Sequence, residues 1–141
     1  MKKILVLSSA NSCRSQMAEG FLKNLVDASK VSVFSAGVNP KAINPRTISI
    51  MEEDGIDIAN QKSKSINDVL DNDFDFLISL CENSKKYVSP ISSKALKVHY
   101  EFPDPADVDG SEDDIYFQFL TVREMIKMFC EEFAEENNLS K

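Results

Sequence analysis

The amino-acid sequence predicts an α/β fold, a three-layer sandwich in which helices flank a four-stranded parallel sheet. Short apolar runs rich in branched residues alternate along the chain with segments whose apolar residues recur at helical spacing. Parallel strands need helical crossovers, so this alternation favours a parallel sheet covered on both faces. The 141 residues are enough for one domain with one sizeable core.

Four apolar segments that end in small or polar residues are the predicted strands. The first, KILVLS, is a continuous run, as expected of a strand that is buried on both faces. The second, VSVFSAG, alternates and ends at a glycine. The four strands are predicted over residues 3–8, 31–37, 74–80 and 95–102.

The predicted helices carry recognisable start and stop signals. The second helix, over 44–55, has Asn44 as N-cap, Pro45 at its first position and Gly55 at its end. A first helix is predicted over 15–28 and a short one within SINDVLDND. After about residue 111, apolar residues recur at steps of four and three, which predicts a long amphipathic helix over the sheet.

The chain is predicted to form one domain over residues 1–136, followed by a frayed tail at 137–141. A net charge of −7 and a pI near 4.7 argue against nucleic-acid and membrane-surface partners. The amino-terminal apolar run is too short for a signal peptide, so we expect a cytoplasmic protein. Three cysteines and one histidine, without a Cys-x-x-Cys pattern, give no zinc signature, and no metal site is expected.

A short loop of small polar residues joins the first strand to the first helix. Between Ser8 and Arg14 it contains Ser9, Ala10, Asn11, Ser12 and Cys13. A loop this tight turns backbone N–H groups inward, the helix N-terminus adds positive potential, and the guanidinium supplies a two-pronged donor. The sequence therefore predicts a site for a tetrahedral oxyanion such as phosphate, arsenate or sulfate. The alternative is an ordinary helix start beside a solvated arginine.

The stretch NSCRSQMAEG resembles the arsenate reductases built on the low-molecular-weight tyrosine phosphatase fold. Further matching motifs follow in order along the chain: FSAG, NP, GIDIANQ, SLC, HYEFPDPA and FQFLTVREMI. The resemblance implies that fold, and a C-x5-R loop whose thiolate attacks the oxyanion. In the thioredoxin-coupled reductases it further implies two cysteines that relay a disulfide outward.

The resemblance implies roles for individual residues. Arg14 matches the anion-binding arginine, Ser15 the hydroxyl that lowers the nucleophile's pKa, and Asp104 the general acid. Ser8 occupies the position of the nucleophilic cysteine. An alcohol needs a neighbouring base to react, and it cannot supply the electrons that reduce arsenate. We therefore expect a protein that binds the oxyanion without turning it over, a pseudoenzyme.

The redox relay of the family is also incomplete in this sequence. Cys81 matches the first relay cysteine, but Val88 stands at the position of the second. Cys81 and Cys13 are the candidate redox thiols, with Cys13 favoured as a small structural residue. Cys130 lies on the apolar face of the last helix and is predicted to be a core residue. No cofactor is expected, and an external small thiol or thioredoxin would serve only if the protein turns over.

The resemblance also concerns a potassium site. Asn11, Glu19 and Ser35 match positions that shape the loop and bind potassium in some members of the family. Lys64 stands where those relatives carry an acid, so its ammonium group can replace the ion. We therefore expect no potassium requirement. The single histidine, His99, is predicted to be a packed strand residue rather than a catalytic base.

Three functions remain open at this stage. The first is an oxyanion-binding protein that has lost its nucleophile. The second is a working arsenate reductase or phosphatase whose cysteine was engineered to Ser8. The third is a non-catalytic module that binds a partner through its acidic surface.

Ala106 and Asp107, which follow Pro105, offer no aromatic side chain to grip a phosphotyrosine ring.

Overall fold

The computed structural model describes residues 1–88, 91 and 94–141. Its strands are β1 (Lys2–Ser8), β2 (Val31–Gly37), β3 (Phe76–Ser79) and β4 (Leu96–His99). Its helices are α1 (Arg14–Leu25), α2 (Pro45–Glu52), α3 (Glu82–Lys85) and α4 (Glu112–Glu136), with 3₁₀ turns at Ile66–Asp68 and Pro105–Asp107. The predicted α/β class with four strands is confirmed.

The sheet has the order β2-β1-β3-β4, and every neighbouring pair is parallel. Ser8 is in register with Gly37 at the end of β1, while Ser79 is in register with His99 at the ends of β3 and β4. The carboxyl ends of all four strands therefore meet at one edge of the sheet. In open α/β sheets this edge is where ligands bind.

The two faces of β1 bury different clusters, which explains its uninterrupted apolar run. Ile4 and Val6 pack into the larger cluster with residues of α1 and α4, whereas Leu5 and Leu7 pack into a smaller cluster on the opposite face. Successive side chains of a strand point to opposite faces, so a strand covered on both sides needs apolar residues throughout. Cys130 lies in the larger cluster, and its predicted place in the core is confirmed.

Capping side chains define where the longer helices begin. Asn44 caps α2 by accepting a hydrogen bond from the Arg46 N–H at 2.9 Å, and Pro45 is the first helical residue, as predicted. Ser111 and Asp114 form a reciprocal capping box at the start of the 25-residue α4. None of the helices in the described part of the chain has the length and hydropathy needed to cross a membrane.

The carboxy-terminal segment differs from the frayed tail that the sequence predicted. Leu139 is buried, and Ser140 forms an isolated antiparallel bridge with Val26. The Lys141 N–H also donates to the Leu25 carbonyl at 2.9 Å. Burial of the Leu139 side chain and these backbone bonds hold the tail against the end of α1. The same bridge explains why α1 ends at Leu25 and not at residue 28.

The predicted fourth strand, 95–102, is shorter in the structure because its ladder to β3 ends at His99. The chain nevertheless stays beside β3: Tyr100 N–H donates to the Ser79 carbonyl and Phe102 N–H to the Leu80 carbonyl, both at 3.0 Å. These bonds carry the segment across the carboxyl edge of the sheet. They place Phe102 and the residues after it next to the loop that follows β1.

Candidate anion-binding site

The carbonyl groups of the loop after β1 point toward the segment that follows β2. Their donors are backbone N–H groups between residues 38 and 44, in four bonds of 2.8–3.2 Å: Val38 to Ser8, Asn39 to Ser9, Lys41 to Ala10 and Asn44 to Ser12. In a trans peptide unit the carbonyl and the next N–H point in opposite directions. The loop's N–H groups therefore face away from this segment.

Those N–H groups and the start of α1 form a concave surface that favours an anion. Cys13 is the N-cap residue of α1 and makes no side-chain cap, so no side chain covers the first N–H groups of the helix. A helix N-terminus carries positive potential, and successive loop amides that face one side form an anion-binding nest. Backbone N–H groups of this kind are what the predicted oxyanion site would use.

Ser8 lies at the base of this cradle and is 2 % exposed. Its Oγ is 2.6 Å from Ser15 Oγ, and it accepts a hydrogen bond from the Asn11 N–H at 3.2 Å. Ser15 Oγ also accepts from Asn11 Nδ2 at 2.7 Å, which leaves the Ser15 proton available for Ser8. The surroundings of position 8 are thus a hydroxyl and an amide, and neither is a base that could activate an alcohol.

Asn11 holds the loop in shape from within. It is fully buried and has a φ of 52°, in the left-handed region that asparagine tolerates better than most residues. Its Nδ2 also donates to Ser35 Oγ at 2.9 Å, and its Oδ1 accepts from the Lys64 N–H at 2.8 Å. These bonds connect the loop to β2 and to the segment before the first 3₁₀ turn.

Gly37 is a further site residue, for which the sequence predicted only the end of the second strand. A Cβ atom at this position would lie 2.9 Å from the Ala10 carbonyl carbon and 2.9 Å from the Asn11 nitrogen. Real Cβ atoms do not approach backbone atoms so closely, so the loop can pack here only against glycine. The strand-ending glycine opposite a phosphate-type loop was the available signal.

Arg14 is fixed at the mouth of the cradle, and its side chain is 11 % exposed. Its Nη1 donates to the Phe102 carbonyl at 3.0 Å, and its Nη2 lies 3.7 Å from Asp104 Oδ2. Asp104 also caps the second 3₁₀ turn by accepting from the Ala106 N–H. The structure therefore brings Arg14 and Asp104, which are 90 positions apart in the sequence, to the same opening.

A buried carboxylate lies behind the loop. Glu19 is 3 % exposed and accepts a hydrogen bond from the Ser35 hydroxyl. Lys23 pairs with it at 2.5 Å, and Lys64 Nζ lies 3.5 Å from it and 2.6 Å from the Lys62 carbonyl. The ammonium group of Lys64 thus occupies the neighbourhood of Glu19, as the substitution of an acid by lysine suggested.

Cys81 places a second thiol beside the loop. Its Sγ is 3.4 Å from Ser9 Oγ and 3.3 Å from Ser84 Oγ. Burial alone would raise the pKa of Cys81, but hydrogen bonds with Ser84 and Ser9 and the charge of Arg14 bring that pKa below its ordinary value. Of the candidate redox thiols, Cys81 is the one with enhanced thiolate character.

Cys13 has a different environment, although it belongs to the loop. Burial raises the pKa of its thiol, and the neighbouring hydroxyl groups of Thr47 and Ser12 offset only part of that rise. Its side chain lies within the larger core cluster. Val88, at the position of the second relay cysteine, is buried in the smaller cluster. The arrangement favours Cys13 as a packing residue and leaves Cys81 as the thiol beside the loop.

His99 is half-buried at the end of β4, and its hydrogen-bond partner is Ser79 rather than Ser8. Its Nδ1 is 2.6 Å from Ser79 Oγ, and its Nε2 faces the exposed carboxylates of Glu101 and Glu82. The sequence predicted Ser9 as a loop residue, but not its contact with Cys81, and it did not single out Ser84 or the Phe102 carbonyl as partners of Cys81 and Arg14.

Comparisons with known proteins agree with this architecture. The profile of the low molecular weight phosphotyrosine protein phosphatase family matches residues 3–141. The arsenate reductase of Shouchella clausii is 37% identical over 134 residues, covering 95% of this chain and 96% of its own. Arsenate reductase 1 of Staphylococcus epidermidis is 39% identical over 133 residues, covering 94% and 96%.

Solved structures give the same result in three dimensions. An arsenate reductase in the phosphate binding state superposes with a TM-score of 0.80 at 34% identity, covering 96% of this chain and 98% of that one. An arsenate reductase in the oxidized state superposes with a TM-score of 0.83 at the same identity and coverage. Curated relatives at 37% and 39% identity are arsenate reductases, and the chain belongs to the low molecular weight phosphotyrosine protein phosphatase family.

Proposed function

We propose that the loop from Ser8 to Arg14 binds a tetrahedral oxyanion, phosphate or arsenate, and that Ser8 leaves the site without the covalent step of its family. The observation that carries the proposal is the orientation of the loop. Four of its carbonyl groups accept hydrogen bonds from residues 38–44, so the N–H groups of the same peptide units point away from that segment. A solved arsenate reductase in the phosphate binding state, 34% identical, supports an oxyanion of this type.

A small inorganic oxyanion fits this opening better than an aromatic phosphate ester. The second 3₁₀ turn, which borders Arg14 through Asp104, continues with exposed Ala106 and Asp107. Neither side chain can stack on a phenyl ring. Phosphate and arsenate share the charge and tetrahedral shape that amides and a guanidinium recognise, so we propose that both bind.

Turnover by the family's route needs a sulfur atom at position 8. Reduction of arsenate to arsenite takes two electrons, which two thiols supply as they become a disulfide. Ser8 provides no thiol. The hydrogen-bond partners of its Oγ are the Ser15 hydroxyl and the Asn11 N–H, and neither is a base that could deprotonate it. We therefore propose that the protein with Ser8 does not reduce arsenate. A small thiol or thioredoxin would act as reductant only in a chain with cysteine at position 8.

The hydrogen-bond partners of Ser8, Ser15 and Asn11, also favour a second candidate function. The Ser15 hydroxyl and the Asn11 N–H can both donate to an acceptor at position 8, an environment that suits the thiolate of a nucleophilic cysteine better than a neutral alcohol. On this alternative the natural activity is arsenate reduction or phosphate-ester hydrolysis by a Ser8→Cys chain. Asp104 would then act as general acid at the mouth of the site, with Cys81 as the second thiol.

Calorimetric titration of phosphate and arsenate at neutral pH tests the binding proposal. We expect saturable binding to the unmodified protein and its loss in Arg14→Ala. Arg46→Ala is the matched control, because it removes an arginine that pairs with Glu112 on the surface. Equal affinities in all three proteins, or no binding in any, would contradict the proposal. The second result would favour a non-catalytic partner-binding module.

Ser8→Cys separates the two candidates. Gain of thiol-dependent arsenate reduction or of aryl-phosphate hydrolysis would support an enzyme that Ser8 has silenced. Absence of both activities, with anion binding retained, would support a protein that only binds its oxyanion.

A further inference from the structure

A second group of side chains with ligand chemistry lies outside the anion loop, at the carboxyl ends of β3 and β4. Glu82 begins α3, His99 ends β4, and Glu101 follows two residues later. We propose that these three residues form a site for a divalent transition-metal cation of the Zn²⁺ class, bound through His99 Nε2 and one oxygen of each carboxylate. This proposal is independent of oxyanion binding.

The distances between the three donor atoms suit such a cation. His99 Nε2 lies 3.2 Å from Glu101 Oε2 and 3.6 Å from Glu82 Oε2, and all three ligand atoms lie within 4.8 Å of one another. Zinc bonds to nitrogen and oxygen are about 2.0–2.2 Å long, so two ligand atoms of a tetrahedral site are about 3.3 Å apart. Small rotations of two exposed glutamates complete this geometry.

Contacts from outside the cluster orient the imidazole. Ser79 Oγ, in a residue that is 1 % exposed, lies 2.6 Å from His99 Nδ1. If that oxygen accepts the Nδ1 proton, the lone pair of Nε2 is directed at the two carboxylates. Histidines that bind metals almost always donate their other ring N–H in this way, which fixes the tautomer and the orientation of the ring.

The carboxylates are held on the same side of the ring. Glu101 Oε1 accepts a hydrogen bond from the Glu82 N–H at 3.2 Å, and this bond keeps Glu101 beside the start of α3. With a neutral imidazole, two carboxylates face a nitrogen lone pair, and a cation between them would satisfy all three groups. One imidazole and two carboxylates supply the nitrogen and oxygen ligands that zinc accepts, and they leave a fourth position open.

The position of the cluster links it to the neighbouring anion site. Glu82 directly follows Cys81, whose sulfur contacts Ser9, and Glu101 directly precedes Phe102, whose carbonyl holds Arg14. A bound cation would therefore tie the β3–α3 turn to the segment after β4. The side chains of Glu82 and Glu101 are 77% and 55% exposed, so the cation would keep a coordination position open to water or another ligand.

The single histidine of the chain makes a direct test possible. Chelator-treated protein, labelled with ¹⁵N at histidine, is titrated with Zn²⁺ and followed by the ring-nitrogen resonances. We expect a saturable shift at Nε2, one equivalent per chain, with Nδ1 remaining protonated. His99 resonances that stay unchanged at millimolar Zn²⁺ would overturn the proposal.

Variants test Glu101 as a ligand and exclude the thiol of Cys81, which adjoins Glu82 in the chain. Glu101→Gln should weaken Zn²⁺ binding about tenfold or more, whereas Glu135→Gln, the same charge change at an exposed position on α4, should leave the affinity unchanged. Circular dichroism of each variant checks that it folds. Cys81→Ser should retain binding and the Nε2 shift. Equal losses in both glutamate variants, or loss of binding in Cys81→Ser alone, would overturn the assignment.

Discussion

Ser15 Oγ lies 2.6 Å from Ser8 Oγ and at the same time accepts a hydrogen bond from Asn11. The Asn11 N–H donates to Ser8 as well, so the Ser15 hydroxyl and this amide can both donate to an acceptor at the base of the loop. This arrangement stabilises negative charge at position 8, yet the residue present is an alcohol that stays protonated. The site thus retains the electrostatics of a nucleophile position without the thiol.

We predict that Ser8→Cys creates a thiol with a pKa below about 7. A helix N-terminus and a neighbouring guanidinium group lower the pKa of a thiol into that range, and the site offers the start of α1 and Arg14. Since the folded protein favours the thiolate, alkylation of the introduced thiol should reach its plateau rate at a lower pH than that of an ordinary thiol. The measurement is the rate of iodoacetamide modification against pH in a Cys81→Ser background.

Ser15→Ala provides the control in that same background. A hydrogen bond to a charged group contributes about 1.5–3 kcal/mol, so its removal should raise the pKa of the introduced thiol by about one to two. An unchanged pH profile would mean that Ser15 does not stabilise the thiolate.

Cys81 is predicted to be the most reactive thiol of the unmodified protein. Its pKa is lowered, so its thiolate is populated at a pH where Cys13 and Cys130, whose pKa values burial raises, are protonated. Alkylation followed by peptide mass mapping should show Cys81 modified first.

Ser9→Ala should shift the pH profile of Cys81 upward, because it removes a hydrogen bond that favours the thiolate. Ser12→Ala is the matched loop variant, since Ser12 is bonded to Cys13 and not to Cys81. Faster modification of Cys13 than of Cys81, or equal profiles in the two variants, would contradict the prediction.

Gly37→Ala should reduce the free energy of phosphate binding by more than it reduces the free energy of unfolding. The added methyl group would meet backbone atoms of Ala10 and Asn11 at 2.9 Å, and the loop must shift to accommodate it. Overpacking of this kind typically costs about 1–3 kcal/mol of folding stability. Phosphate titration and urea unfolding measure the two effects.

Gly55→Ala is the comparison for that variant. Gly55 has a φ of +77° but open space around its Cβ position, and it lies in the turn three residues after α2 ends. An alanine there should cost about 1–2 kcal/mol through its left-handed conformation and leave phosphate affinity unchanged. Equal phosphate affinities in the two variants would show that the loop does not depend on the close approach at Gly37.

Lys64 is predicted to replace a metal cation beside Glu19. Its Nζ lies 3.5 Å from the buried carboxylate, so exchange of sodium for potassium at constant ionic strength should leave the melting temperature of the protein unchanged. Lys64→Asp should destabilise the protein by about 1–2 kcal/mol, less than for a fully buried pair because Lys23 still pairs with Glu19.

Potassium should restore part of the stability that Lys64→Asp loses, because two neighbouring carboxylates then need a cation. Lys62→Asp is the control, as only the backbone carbonyl of Lys62 contacts this group. A potassium effect on the unmodified protein, or none on Lys64→Asp, would contradict the prediction.

Sequence patterns alone predicted the α/β class, the four parallel strands and the loop from Ser8 to Arg14. These features depend on local patterns: an uninterrupted apolar run, capping residues such as Asn44, and small polar residues between a strand and a helix. The parallel topology indicated a site at the carboxyl edge of the sheet, and the family resemblance implied roles for Arg14, Ser15 and Asp104.

The contacts between distant groups at this edge of the sheet become known from the folded structure. The contact of Cys81 with Ser9, the approach of Gly37 to Ala10, and the carbonyl of Phe102 on Arg14 join segments far apart in the chain. The tail illustrates the same point, because polar composition predicted fraying, whereas Leu139 packs and Ser140 pairs with Val26. Periodicity and composition report the neighbours of a residue along the chain, while a pKa, a close approach or a ligand set depends on neighbours brought by folding.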